Sequence, residues 1–157
     1  MRRVLTFGVF DLFHIGHLRL FRQCREHGDY LIVGVQKDEY VARFKPDGEC
    51  FYTTEERMEI IRALRVVDEV FSYDTLGPDV MEKTEFDILA LGEDHIGARF
   101  DAIEKWCREH GKSVVRLQRT AGISSSSIKA MLKHSAAPER GAVPEQETTP
   151  KQESEGK

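Results

Sequence analysis

The stretch Phe7-Gly8-Val9-Phe10-Asp11-Leu12-Phe13-His14-Ile15-Gly16-His17 constrains this chain more than any other. The apolar residues before and within it, Val4, Leu5 and Phe7, have the character of a buried strand, and a glycine ends it. The spacing of Leu18, Leu20, Phe21 and Cys24 is that of a helix starting near His14. A strand that turns directly into a helix gathers unpaired backbone N–H groups and the positive end of the helix dipole at one spot. That spot suits an anion, most obviously a phosphate. His14 and His17 lie three residues apart on one face of the first turn, and Gly16 keeps the surface between them free of side chain. Two imidazoles then reach a resting ligand as adjustable proton donors. A metal site is the poorer reading, because the pair gives two ligands and no Cys or third His stands at zinc spacing nearby.

Downstream, strand and helix signals alternate. Tyr30 to Val35 is a continuous apolar run, which points to a strand covered on both faces and favours a parallel sheet. Gln36 to Phe44 reads as a short helix, and Lys45 to Cys50 as a turn-rich loop. Thr53 and Glu56 form a capping box for a helix whose stripe is Met58, Ile60, Ile61 and Leu64, with Arg57 projecting elsewhere. Further strands are expected at Val66–Phe71, Asp87–Gly92 and Ser113–Leu117. Helices are expected at Val80–Thr84, around Phe100, Ile103, Trp106 and Cys107, and at Ser124–Lys133. The order predicts an α/β fold, a doubly wound five-stranded parallel sheet, with ligands beyond the C-terminal strand ends. The histidine block, Gly92 and Arg119 all fall there.

Residues 1–134 read as one domain. From Ser135 onward Pro138, Pro144 and Pro150 stand among Glu, Gln, Thr and Lys, so 135–157 reads as a disordered tail. A formal net charge of -4 argues against nucleic acid as a partner, so any phosphate affinity is local. No apolar run approaches the ~20 residues of a membrane span, and Met1-Arg2-Arg3 leads into a strand without a signal-peptide apolar region. Cys24, Cys50 and Cys107 are odd in number and widely spaced, which suits a reducing cytoplasm.

A second constellation, Arg119-Thr120-Ala121-Gly122-Ile123-Ser124-Ser125-Ser126-Ser127, lies between the fifth strand and the last helix. Its glycine permits close backbone approach, its serines can cap a helix, and its arginine can bind phosphate oxygens. Alone it is weak evidence. Paired with Gly-x-Phe-Asp-x-x-His-Ile-Gly-His it resembles the signature of the cytidylyltransferase family of His-x-Gly-His nucleotidyltransferases, the glycerol-3-phosphate enzymes most of all. Ser125 and Ser126 stand where that family usually has threonines. Class I aminoacyl-tRNA synthetases share His-x-Gly-His, but this chain is too short and lacks a Lys-Met-Ser-Lys-Ser block.

The resemblance covers about residues 3 to 133 and implies a Rossmann-like fold that binds CTP and a phosphorylated alcohol. It implies that His14, His17, Lys45 and Arg119 are catalytic and that Gly8, Val9, Phe10 and Gly16 lie against the nucleotide. Leu91, Gly92 and Asp94 would stand beside the base, and Thr120, Gly122, Ile123, Ser124, Ser125 and Ser126 would wrap the phosphates with Arg119. Arg57 is either a further cation at the phosphates or a solvated helix arginine. Lys45 and Lys83 would face the acceptor with Asp11, which alternatively holds a metal, pairs with a cation or braces the loop. No metal ligand set is assigned to the protein; Mg²⁺ would come with the triphosphate, and a homodimer is implied. The chemistry agrees: the second pKa of a phosphomonoester is about 6, so the attacking oxygen needs no general base, only alignment and charge neutralisation. Three other readings stay open. One is an adenylyltransferase of the same fold, one a phosphocholine or phosphoethanolamine acceptor, and one a nucleotide-binding module acting through its tail.

Overall fold

The computed structural model describes residues 1–44 and 49–134. In chain order they form β1 (Arg3–Gly8), α1 (Ile15–His27), β2 (Tyr30–Gln36), α2 (Asp38–Phe44), α3 (Thr54–Arg62) and β3 (Glu69–Tyr73). There follow α4 (Pro78–Glu82), β4 (Ile88–Gly92), α5 (Ala98–Glu109), β5 (Ser113–Leu117) and α6 (Ser125–Lys133). All four strand pairings are parallel and the sheet order is β3-β2-β1-β4-β5. Consecutive strands build outward from β1 to one side and then, from β4, to the other. The order therefore reverses between β1 and β4, which opens a crevice at their C-terminal ends.

The apolar runs are fully used. Val4 and Leu5 are both sealed from solvent but point to opposite faces, as period-two alternation requires. Val4 joins Phe21 and Cys24 of α1 and Met58 and Ile61 of α3, whereas Leu5 joins Met81 of α4, Phe86, and Ile103 and Cys107 of α5. Two cores thus sandwich one sheet. Its buried polar atoms are paired: Thr6 Oγ1 donates to the Ala90 carbonyl at 3.0 Å.

Two elements and one side chain differ most from the sequence reading. β3 begins at Glu69 rather than Val66, because Asp68 is bound to β2 as a bracket. Its amide donates to the Leu31 carbonyl (3.0 Å) and its carboxylate accepts from the Leu31 amide (2.8 Å), leaving Val66 and Val67 to pack from the turn. α4 starts two residues early, at Pro78, whose fixed φ suits a first helical position. Arg57 neither projects into solvent nor lines the cavity described below; it is wholly buried. Lys45 and the 135–157 tail lie outside the described residues.

Candidate active site

From Gly8 the chain reaches α1 through a loop in which Phe10 (φ 54°) and Leu12 (φ 46°) take the left-handed backbone that side chains disfavour. Contacts from four directions impose it. The Phe10 ring is buried 5.0 Å from Phe21 and 5.3 Å from the His17 ring. The Val9 carbonyl accepts from Arg57 (2.7 Å), and the Asp11 carbonyl accepts from Ser125 Oγ (2.6 Å). The Asp11 carboxylate, 2% exposed, accepts from the amides of Phe51 (2.7 Å) and Tyr52 (3.0 Å) and pairs with Lys129 (2.7 Å). Burial alone would raise the Asp11 pKa, but Lys129 and the two amides outweigh it and hold the pKa below the usual value. Of the roles open to Asp11 in the sequence, loop brace and cation partner are therefore the observed ones, and its oxygens are already taken.

His14 is the N-cap of α1, and the two histidines cap each other. His14 Nδ1 accepts from the Gly16 amide (3.0 Å), and His17 Nδ1 accepts from the His14 amide (3.4 Å), with the rings stacked at 3.7 Å. The bare helix amides expected to meet the anion are thus covered by imidazole. With both Nδ1 atoms accepting, each neutral ring carries its proton on Nε2, so the pair presents two N–H donors of fixed tautomer. Burial, then His14, pull the His17 pKa down to about 3; burial and Arg119 lower that of His14. The rings are neutral near pH 7.

Two predictions follow from this turn. A Cβ on Gly16 would stand 2.8 Å from His14 Cε1 and 3.4 Å from Ile123 Cγ2. Gly16→Ala gains helix propensity but must push the His14 ring aside, so Tm is expected to hold while kcat falls about 10- to 100-fold. An unchanged kcat would show that the ring's position is not critical. Second, a histidine whose pKa is lower in the fold than in the unfolded chain favours unfolding once protonated there. Its stabilising effect is complete above about pH 6.5 and is lost as pH falls toward about 3. Tm should drop between pH 7 and pH 5, and His17→Asn should flatten that slope; parallel slopes would refute the assignment.

These groups line a cavity of about 490 Å³ across the β1–β4 switch. Gly8, Val9 and Phe10 form its floor with His14, Gly16 and His17, and Gly92 and Asp94 stand at the end of β4. Arg119, Thr120, Ile123 and Ser124 to Ser126 close the β5 side. Ser124 caps α6 reciprocally with Ser127, and Ser125 gives its hydroxyl to the Asp11 carbonyl, so Ser126 and the first α6 amides remain for a ligand. Arg119 meets Asp94 at 3.4 Å with both side chains about half exposed; such a pair contributes at most about 1 kcal/mol, so Arg119 can turn to a phosphate at little cost.

Other expected positions lie off the cavity. Leu91 is sealed in the core beside Leu5, so only its backbone is near the strand end. Lys83 caps the C-terminus of α4 and does not line the site. Gly122 (φ 81°) shapes the turn without lining it. Arg57 works from behind, donating to the carbonyls of Val9 (2.7 Å), Gln36 (2.8 Å) and Tyr52 (3.3 Å) and pairing with Asp38. Conversely, the cavity includes Gln36, Tyr73, His95, Arg99 and Lys129, which no sequence motif singled out. His95 stacks on Phe100 at 4.9 Å and accepts the Gly92 amide (3.2 Å). Only the i+4 spacing of Lys129 from Ser125 hinted that it shares a face with that serine.

Comparison with known proteins agrees with this geometry. Residues 5–131 match the Cytidylyltransferase-like family. The chain is 38% identical over 134 residues to the glycerol-3-phosphate cytidylyltransferase of Staphylococcus aureus, covering 84% of this chain and 96% of that protein. It is 36% identical over 111 residues to the FAD synthase of Thermococcus kodakarensis, covering 69% and 73%. Among solved structures, the lipopolysaccharide core biosynthesis protein of Thermoplasma volcanium superposes with a TM-score of 0.62 at 27% identity, covering 76% of this chain and 97% of that one.

Proposed function

The chain belongs to the cytidylyltransferase-like family, and we propose that it transfers CMP from CTP to glycerol 3-phosphate, giving CDP-glycerol and pyrophosphate. The observation that carries this reading is the meeting, in one cavity, of the paired imidazoles with the Arg119–Ser126 loop. The resemblance to a glycerol-3-phosphate enzyme over nearly its whole length supports the choice of acceptor.

The acceptor phosphate, largely dianionic near pH 7, attacks the α-phosphate without a base. The two Nε2–H groups donate to the oxygens on which charge grows, and Arg119 and the α6 amides steady the departing pyrophosphate. Among the described residues no three His, Cys, Asp or Glu side chains gather into a metal site. Magnesium carried by the triphosphate would supply charge neutralisation. Lys45 would add a cation to the acceptor side. A homodimer in the reducing cytoplasm fits the family resemblance and the three free thiols. Among the described residues no helix is long and apolar enough to cross a membrane.

Pyrophosphate release, with CTP and ATP each crossed against glycerol 3-phosphate, phosphocholine and phosphoethanolamine, tests the proposal. Release with CTP and glycerol 3-phosphate is expected. Release with ATP alone would move the chain to adenylyl transfer, the chemistry of its FAD synthase relative's class, and nucleotide binding without release from any pair would overturn the enzymatic reading.

A further inference from the structure

The cavity continues past the histidines beneath the C-terminal ends of β2 and β3. Gln36 and Tyr73 are register partners on those strands, so their side chains stand side by side on one face. Both line the cavity and both are more than nine-tenths buried, at 8% and 7% exposure. Polar groups at such depth ordinarily have partners. Here each keeps an oxygen without one among the described residues. Gln36 gives its Nε2 to the Asp74 carbonyl (3.1 Å) and nothing meets its Oε1; the Tyr73 hydroxyl meets nothing, although its ring is fixed 5.1 Å from Phe7. No enclosed side-chain nitrogen or oxygen among the described residues is unpaired, so these two oxygens open to the cavity.

Arg99, in the first turn of α5, hangs over the same compartment with its guanidinium 4.2 Å above the Phe44 ring. It is close enough that its charge works on the Tyr73 phenol, against the upward push of burial on that group's pKa. The acidic side chains lining the cavity among the described residues, Asp11 and Asp94, already hold Lys129 and Arg119. The compartment therefore combines a hydroxyl donor, an amide acceptor and a cation, the guanidinium lying over the Phe44 ring.

We propose that Gln36, Tyr73 and Arg99 form the acceptor-recognition subsite, in which the tyrosine and glutamine bind the hydroxyls of a phosphorylated polyol and Arg99 binds its phosphate. The charge of Arg99 repels a cationic head group, so phosphoethanolamine and phosphocholine are disfavoured. The inference rests on the cytidylyl-transfer reading and deepens it.

Tyr73→Phe keeps the ring and removes only the hydroxyl; Arg99→Gln removes only the charge. Each is expected to raise the KM for glycerol 3-phosphate about tenfold while leaving that for CTP unchanged. Arg99→Gln should also narrow the preference for glycerol 3-phosphate over phosphoethanolamine. Unchanged acceptor KM in both variants, or an equal rise for both substrates, would overturn the subsite while leaving cytidylyl transfer intact. Absence of turnover by the unmodified chain would instead defeat the cytidylyl-transfer reading. Calorimetric titration of glycerol 3-phosphate into the unmodified chain and both variants then decides the subsite. A tenfold loss in the variants supports it, and equal or absent binding overturns it.

Discussion

His17→Ala is expected to lower kcat by about 10²–10³-fold, the usual consequence of removing one preorganised donor from a developing oxyanion. At neutral pH burial keeps the ring uncharged and its Nδ1 is engaged with the His14 amide, so the Nε2–H is the one polar group it offers the cavity. Its packing on Phe10 and Phe13 is lost as well, a stability cost that Tm reads separately from kcat. His14 has a second task, as N-cap of α1, and alanine there would also cost about 1 kcal/mol of stability. His14→Asn separates the two, because asparagine caps well but has no donor where Nε2 stood. Its Tm should move by no more than about 4 °C while kcat falls as far as in His17→Ala. Wild-type turnover in both His14→Asn and His17→Ala would disprove the proposed role of the pair.

Arg57→Met is expected to destabilise the fold by about 3–5 kcal/mol and to abolish activity although Arg57 touches no substrate. Its guanidinium ties α3 to the Val9 loop and to the end of β2, reaching the carbonyls of Val9, Gln36 and Tyr52 and the Asp38 carboxylate. Asp38 is 44% exposed and can return to water, so its loss of a partner contributes little. The cost falls on the buried carbonyls, each worth about 1–3 kcal/mol when left unmade. Arg57→Lys should fall between, since one ammonium cannot serve a fork of acceptors. Chemical denaturation checks this, and a loss below about 1 kcal/mol would contradict the account.

Sequence signals revealed the parts of this molecule that are local. β5 falls at Ser113–Leu117 as expected, and Thr53 and Glu56 form the reciprocal cap their spacing implies. Both depend on neighbours within a few residues. The histidine turn was legible for the same reason, though its reciprocal capping was not, because nothing in the spacing says that a ring rather than a ligand will meet the helix amides. Arg57 was misread because its acceptors at Val9 and Gln36 lie 48 and 21 residues away. On the helix it looks like any arginine off the apolar stripe. Gln36 and Tyr73 look like ordinary strand ends until register sets them side by side, and Arg99 and Lys129 acquire meaning only when α5 and α6 close over the sheet. Distance along the chain, more than residue type, separates what was legible from what was not.

The bond from Ser125 to the Asp11 carbonyl spans 114 residues, and the pair between Lys129 and Asp11 spans more. β1 sits at the centre of the sheet, yet the loop it carries is held by the last helix. During synthesis the first strand therefore leaves the ribosome long before the last of the groups that shape its loop, and the left-handed turns at Phe10 and Leu12 lack the Ser125 and Lys129 contacts until α6 arrives. Ligand binding becomes a late event in the life of each nascent chain. A copy cut short before α6 would keep the hydrophobic core, because α6 buries no side chain, but would lack Ser125, Ser126 and Lys129 at the cavity.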